Sequence, residues 1–209
     1  MESKSLHNWV SRLRRFVARN DIEHCDLCSK AIPHQHAHLI ERATRRFLCA
    51  CQGCALSLGE SAKYRSVSPR TDVLQGFRLS DAEWNAFQIP IDMVFLFHST
   101  SAKRPIAIYP SPAGPTESLL SLDAWSSLVE ANPVLAELEP DVEALLVNHT
   151  NGAREYYRVS IDRCYALVGL IRTKWRGLSG GAEVWDAIHD FFVKLRSSPR
   201  GAIGDLIHG

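Results

Sequence analysis

Residues 24–54, HCDLCSKAIPHQHAHLIERATRRFLCACQGC, decide how this chain is organised. Cys25 with Cys28 and Cys51 with Cys54 form two Cys-x-x-Cys pairs separated by 22 intervening residues, close to the about 15–20 of structural zinc sites. Each such turn aims two thiolates and nearby amides at one ion, and two turns complete a tetrahedron. The stretch is also poor in large apolar side chains, so burial alone would not fold it and a metal supplies what its core lacks. Cys25, Cys28, Cys51 and Cys54 are therefore the expected ligands of a Zn2+ ion. Iron in a rubredoxin-like site is the alternative, because the softness and tetrahedral geometry of four thiolates suit both metals.

A fifth thiol complicates the assignment. Cys51 and Cys54 repeat the spacing of the first pair, which leaves Cys49 as a filler on a preceding strand, a replacement ligand or a redox partner. His34, His36 and His38 alternate and would share one face of an extended segment. They read as polar or supporting groups, with His36 and His38 as alternative ligands and a second metal as a further possibility.

Upstream, Leu6, Trp9, Val10, Leu13, Phe16 and Val17 recur at helical spacing, with Arg12, Arg15 and Arg19 largely off that stripe. Downstream, CQGCALSLGES predicts a short helix stopping at Gly59, and Ser80 with Glu83 is a capping-box pattern opening a helix before Pro90. Residues 91–97 and 104–109 read as one antiparallel strand pair. Residues 142–149 and 154–160 read as another, joined through Asn151-Gly152, which tolerates positive φ. Three prolines and a glycine in 109–117 predict a stiff irregular path. A helix over 123–131 follows, closed by Pro133. Two final helices carry Cys164, Leu167, Val168, Ile171 and Trp175, then Val184, Trp185, Ile188, Phe191, Phe192 and Leu195, with Gly177 to Gly181 between them.

The expected fold is α+β: an N-terminal helix and small four-cysteine zinc-ribbon-like module, then an antiparallel sheet of about four strands with helices packed on one side. The expected divisions are residues 1–60, 61–197 and a loose tail over 198–209. Glu137, Glu139, Asp141 and Glu143 read as a solvated face. Cys164, on an apolar stripe, reads as a small buried hydrophobe.

Composition narrows the function. A formal charge of +1 over 209 residues gives no general field for nucleic acid or anionic membrane. No apolar run reaches the about 18 residues of a spanning helix, and six cysteines are too few for a disulfide scaffold. A cytoplasmic protein is the expectation. No nucleophile elbow, phosphate loop, dinucleotide fingerprint or His-Glu-x-x-His motif is present, so the expected class is non-enzymatic. Arg172, Lys174 and Arg176 complement the end of a helix dipole and are also candidates for binding an anion or partner.

Several blocks together carry a resemblance: the Cys25–Cys28 knuckle followed by His36 and His38, FLCACQGC at 47–54, IPIDM at 89–93, YPSP at 109–112, ANPVL at 131–135, LEPDVEALLVN at 138–148 and VGLIRTKWRG at 168–177. They resemble a bacterial zinc-knuckle family encoded beside actinobacterial-type uptake NiFe-hydrogenase genes, over residues about 20–196. The resemblance implies an accessory or chaperone part in hydrogenase maturation, with a hydrogenase subunit or maturation factor as partner. It supplies no catalytic residue. An electron carrier or iron donor using the four-cysteine site, and a nucleic-acid-binding knuckle, are the alternatives.

Overall fold

The structure is a computed structural model that describes residues 22–118 and 122–197. The amphipathic helix expected in the first twenty residues and the tail expected over 198–209 lie outside the described residues.

The cysteine-rich stretch folds into a small antiparallel sheet of β1 (Ala37–Glu41), β2 (Arg46–Ala50) and β3 (Tyr64–Val67), in the order β2-β1-β3. Alternation gives this sheet two different faces. Leu39, Leu48 and Ala50 form a small core with Leu27, Ala55 and Leu58. The opposite face carries Ile40 and Val67, which join the main core. Helix α1 (Gln52–Leu58) begins at Cys51 and ends at Gly59, as the sequence predicts.

The larger sheet contains β4 (Thr71–Val73), β5 (Met93–Ser99), β6 (Arg104–Ser111), β7 (Gly114–Ser118), β8 (Glu143–Asn148) and β9 (Glu155–Ser160), all antiparallel, in the order β4-β9-β8-β5-β6-β7. The two expected strand pairs, β5 with β6 and β8 with β9, form its centre and join through β5 and β8. Asn151 and Gly152 take positive φ values of 53° and 76° in the loop between β8 and β9.

Three expectations require correction, and a fourth requires it in part. Sheets of three and six strands replace a sheet of about four, because short β4 and proline-bearing β7 carry no alternating apolar signal. Residues 109–117 are not an irregular path but a hairpin in which Pro110 faces Pro115. Two prolines opposite one another fit a position where neither residue donates to the ladder, and β7 lies at the sheet edge.

Helices, finally, cover both faces of the large sheet, not one. Helices α2 (Asp81–Ala86) and α3 (Leu122–Ala131), with a 3-10 turn at Pro133–Glu137, accompany the face that buries Val94, Leu96, Leu145, Val147 and Tyr156. Helices α4 (Ile161–Lys174) and α5 (Ala182–Ser197) pack on the face of Phe95, Phe97, Leu146, Tyr157 and Val159. A strand buried on both faces has a continuous apolar run rather than alternation, which is the pattern of β5 and β8. Tyr156 and Tyr157 accordingly enter different cores. The capping box at α2 is formed, with Glu83 N–H donating to Ser80 Oγ and the Ser80 amide to the Glu83 carboxylate.

The acidic set is a solvated face only in part: Glu137 and Glu139 are exposed, as expected, and the other two are not. Asp141 and Glu143 are buried, Glu139 pairs with Arg65, and Glu137 and Glu143 both receive hydrogen bonds from the buried Arg158. Close packing also explains Gly180, which precedes α5 at φ 88°; a Cβ there would lie 2.8 Å from Val184 and 3.1 Å from Trp175. Gly180→Ala is expected to destabilise the protein by about 1–3 kcal/mol, from positive φ and overpacking together, as a lowered midpoint in urea with an unchanged slope.

Candidate metal centre

The four expected ligands arrive on two turns. The first turn spans residues 25–30, where the Ser29 amide donates to the Cys25 carbonyl and the Cys25 amide to the Lys30 carbonyl. Ser29 takes φ 59° to close it. In the second, Cys51 is the N-cap of α1 and Cys54 lies in its first turn, with the Cys54 amide donating to Cys51 Sγ at 3.5 Å. Asp26 ties the two turns together: its amide donates to the Cys49 carbonyl at 2.8 Å, and its carboxylate accepts from the Cys49 amide at 2.7 Å.

Tertiary structure thereby brings Cys25, Cys28, Cys51 and Cys54 into one group, their sulfurs all within 4.8 Å of one another. Cys28 and Cys51 Sγ stand 3.7 Å apart. A tetrahedron with Zn–S bonds of about 2.3 Å has S–S edges of about 3.8 Å, so the spacing and the soft donor set both fit a zinc ion.

The electrostatics suit a divalent cation. Burial pushes the Cys25 thiol up, but amide donors at Cys51, Leu27 and Cys28 outweigh it and lower it to about 6. The Cys54 amide holds Cys51 below the ordinary thiol range. Beside the Cys51 and Cys28 sulfurs, Cys54 is instead pushed up to about 12. A divalent cation at the centre would allow all four ligands to be thiolates.

Cys49 does not join this group. It lies on β2 as expected, yet outside the small apolar core, and groups with His36 and His38. His38 Nδ1 stands 2.9 Å from Asp162 Oδ2, and this carboxylate, with the Cys49 thiol, pushes the imidazole up to about 9 despite burial. Asp162 comes from the first turn of α4, a contact across 124 positions that the sequence does not signal. His34 is exposed at a bend before β1 and stands outside the group.

Of the three cations near the end of α4, Lys174 pairs with Glu183 at 3.1 Å, and Arg176 donates back to the carbonyls of Thr173 and Trp175. The Arg176 contacts, to carbonyls at the helix end, match the dipole-complementing role. Arg172 is exposed beside Gly114. Cys164 is fully buried, and burial raises its thiol well above the ordinary range. Among the described residues, no helix is long and apolar enough to cross a membrane.

Asp26→Ala removes the carboxylate that joins the first turn to β2. It is expected to weaken metal retention by the four-cysteine group about 10–100-fold, as losing an outer support of a metal ligand does, measured by competition with a chromophoric chelator.

Comparison with curated proteins and with solved structures finds no match. A family model described as "Family of unknown function (DUF5947)" matches residues 24–199, which is more than half of the chain and includes both cysteine pairs, and the chain belongs to that family.

Proposed function

We propose that this chain is a zinc-stabilised, non-enzymatic accessory protein that acts in the cytoplasm during maturation or assembly of a NiFe hydrogenase. The convergence of Cys25, Cys28, Cys51 and Cys54 carries the metal part of this reading. Four protein thiolates saturate a tetrahedral ion and leave no position for substrate, which is the arrangement of structural rather than catalytic zinc. The ion would hold a zinc-ribbon-like module in shape as a surface for a protein partner. The hydrogenase assignment rests on the resemblance in the sequence blocks at 47–54, 138–148 and 168–177.

The test has two arms. Anaerobically purified protein is expected to carry zinc bound by four sulfurs, seen by X-ray absorption at the zinc edge, and to show no visible colour. Iron with thiolate charge-transfer bands would replace the structural reading by an electron-carrying or iron-donating one. Tagged chain in hydrogenase-expressing cells is expected to capture a hydrogenase subunit or maturation factor, and a Cys25→Ser chain to lose it; repeated capture without either class of partner overturns the assignment.

A further inference from the structure

The face of the small sheet turned away from Leu39 and Leu48 has a donor set of its own. His38 stands directly opposite Cys49 in the β1–β2 register, and His36 lies two residues before His38 on the same side. One ring nitrogen of each histidine and Cys49 Sγ lie within 4.8 Å of one another. None of the three belongs to the four-cysteine group.

Each imidazole is held from behind through Nδ1. His36 Nδ1 donates to the Pro33 carbonyl at 2.8 Å, with the Glu23 carboxylate 3.3 Å away, and His38 Nδ1 donates to Asp162 Oδ2 at 2.9 Å. An imidazole that donates from Nδ1 presents the lone pair of its neutral form on Nε2. The His36 side chain is 6% exposed, and its Nε2 is buried without a hydrogen-bond partner among the described residues. Buried polar atoms in native proteins have partners, so this nitrogen points to something that fills the space before it. One cation would satisfy both imidazoles and a Cys49 thiolate together.

We propose that His36 Nε2, His38 Nε2 and Cys49 Sγ form a second metal site for a divalent ion of borderline softness, zinc by its ligand set, with a fourth position open to the adjoining cavity. Imidazole with thiolate is a donor set for such ions, and a ring N–H held by a carbonyl or carboxylate is how proteins orient histidine ligands. The cavity, about 650 Å³, is lined by His36, His38, Asp162, Lys30 and Gln52 among others. Three protein ligands, two of them lining a cavity, leave room for water or a small exchangeable donor, unlike the saturated four-cysteine group. Asp162 is a positioning residue that aims His38 from the start of α4.

The site is separable from the four-cysteine centre by experiment on the full chain. Loaded with cobalt as a spectroscopic substitute for zinc, the wild type is expected to hold two ions per chain. Cys49→Ala and His36→Ala are expected to hold one, in a spectrum of four sulfurs. Asp162→Asn is expected to weaken the second ion about 10–100-fold and leave the first unchanged.

Nitrogen-15 spectra of the wild type provide a readout that needs no variant. The Nε2 resonances of His36 and His38 are expected to shift on addition of the second equivalent of zinc. One ion per chain in the wild type, a second ion that survives in Cys49→Ala and His36→Ala, or unmoved Nε2 resonances would overturn the site. Azide is expected to alter the cobalt spectrum of the wild type and not of Cys49→Ala; an unaltered wild-type spectrum would overturn the open fourth position.

Discussion

Cys25→Ser is expected to release the ion of the four-cysteine group and to unfold β1, β2, α1 and the first cysteine turn while the six-stranded sheet remains folded. The imbalance between the cores is the reason. Among the described residues, only Leu39, Leu48 and Ala50 are buried in the small core, whereas the large sheet has two apolar layers. Burying a leucine contributes about 1.5–3 kcal/mol, while structural zinc in small modules contributes on the order of 10–16 kcal/mol at neutral pH. Loss of the ion therefore removes more than these leucines supply. Cys25 is the most consequential of the four positions because it is 2% exposed and accepts amide hydrogen bonds from both turns.

Ile40 and Val67 are two of many members of the main core, whose other residues lie outside the cysteine-rich module, so the unfolding is expected to stay local. Hydrogen exchange checks this: amides of residues 38–41 and 47–50 should lose protection in Cys25→Ser or after chelation, and those of β5 and β8 should keep theirs. Undiminished protection at 38–41 in fully metal-free protein would show that packing, not metal, holds the module.

Glu143→Ala is expected to destabilise the whole chain by about 3–5 kcal/mol, the range for removing one partner of a buried ion pair. Glu143 and Arg158 side chains are each 8% exposed, and Glu143 Oε2 accepts from Arg158 at 2.6 Å and 3.0 Å. Glu143 also pairs with Arg70 and accepts from the Glu139 amide, so its removal orphans several donors at once. The cost arises chiefly from the buried guanidinium left behind. Glu143→Leu combined with Arg158→Met should therefore recover much of the loss, and denaturant midpoints of the two single variants and the double variant give the coupling. If the double variant is no more stable than Glu143→Ala, lost packing is the cause.

The interior of the large sheet was legible because its chemistry is local. The apolar runs of β5 and β8, the Asn151-Gly152 loop and the Ser80–Glu83 box each act over a few residues. Strand β7 was not, because proline in isolation argues against a strand; only the pairing of Pro110 with Pro115 at a sheet edge makes it acceptable. The burial of Glu143 was hidden for a similar reason, since Arg70 and Arg158, which pair with it, lie elsewhere in the chain; the same holds for Asp141, which accepts from Thr100.

The metal centre divides in the same way. Sequence by itself determined that Cys25 pairs with Cys28 and Cys51 with Cys54, because a two-residue spacer sets how two thiols point from one turn. It also determined α+β as the fold class, through the periods of its apolar residues. Tertiary structure decided that Cys49 stands with His36 and His38, since the β1–β2 register sets which side chains share a face. It decided, too, that Asp162 from α4 holds His38. Spacing along a chain governs neighbours within a turn, whereas contacts between elements depend on burial and pairing of the whole molecule.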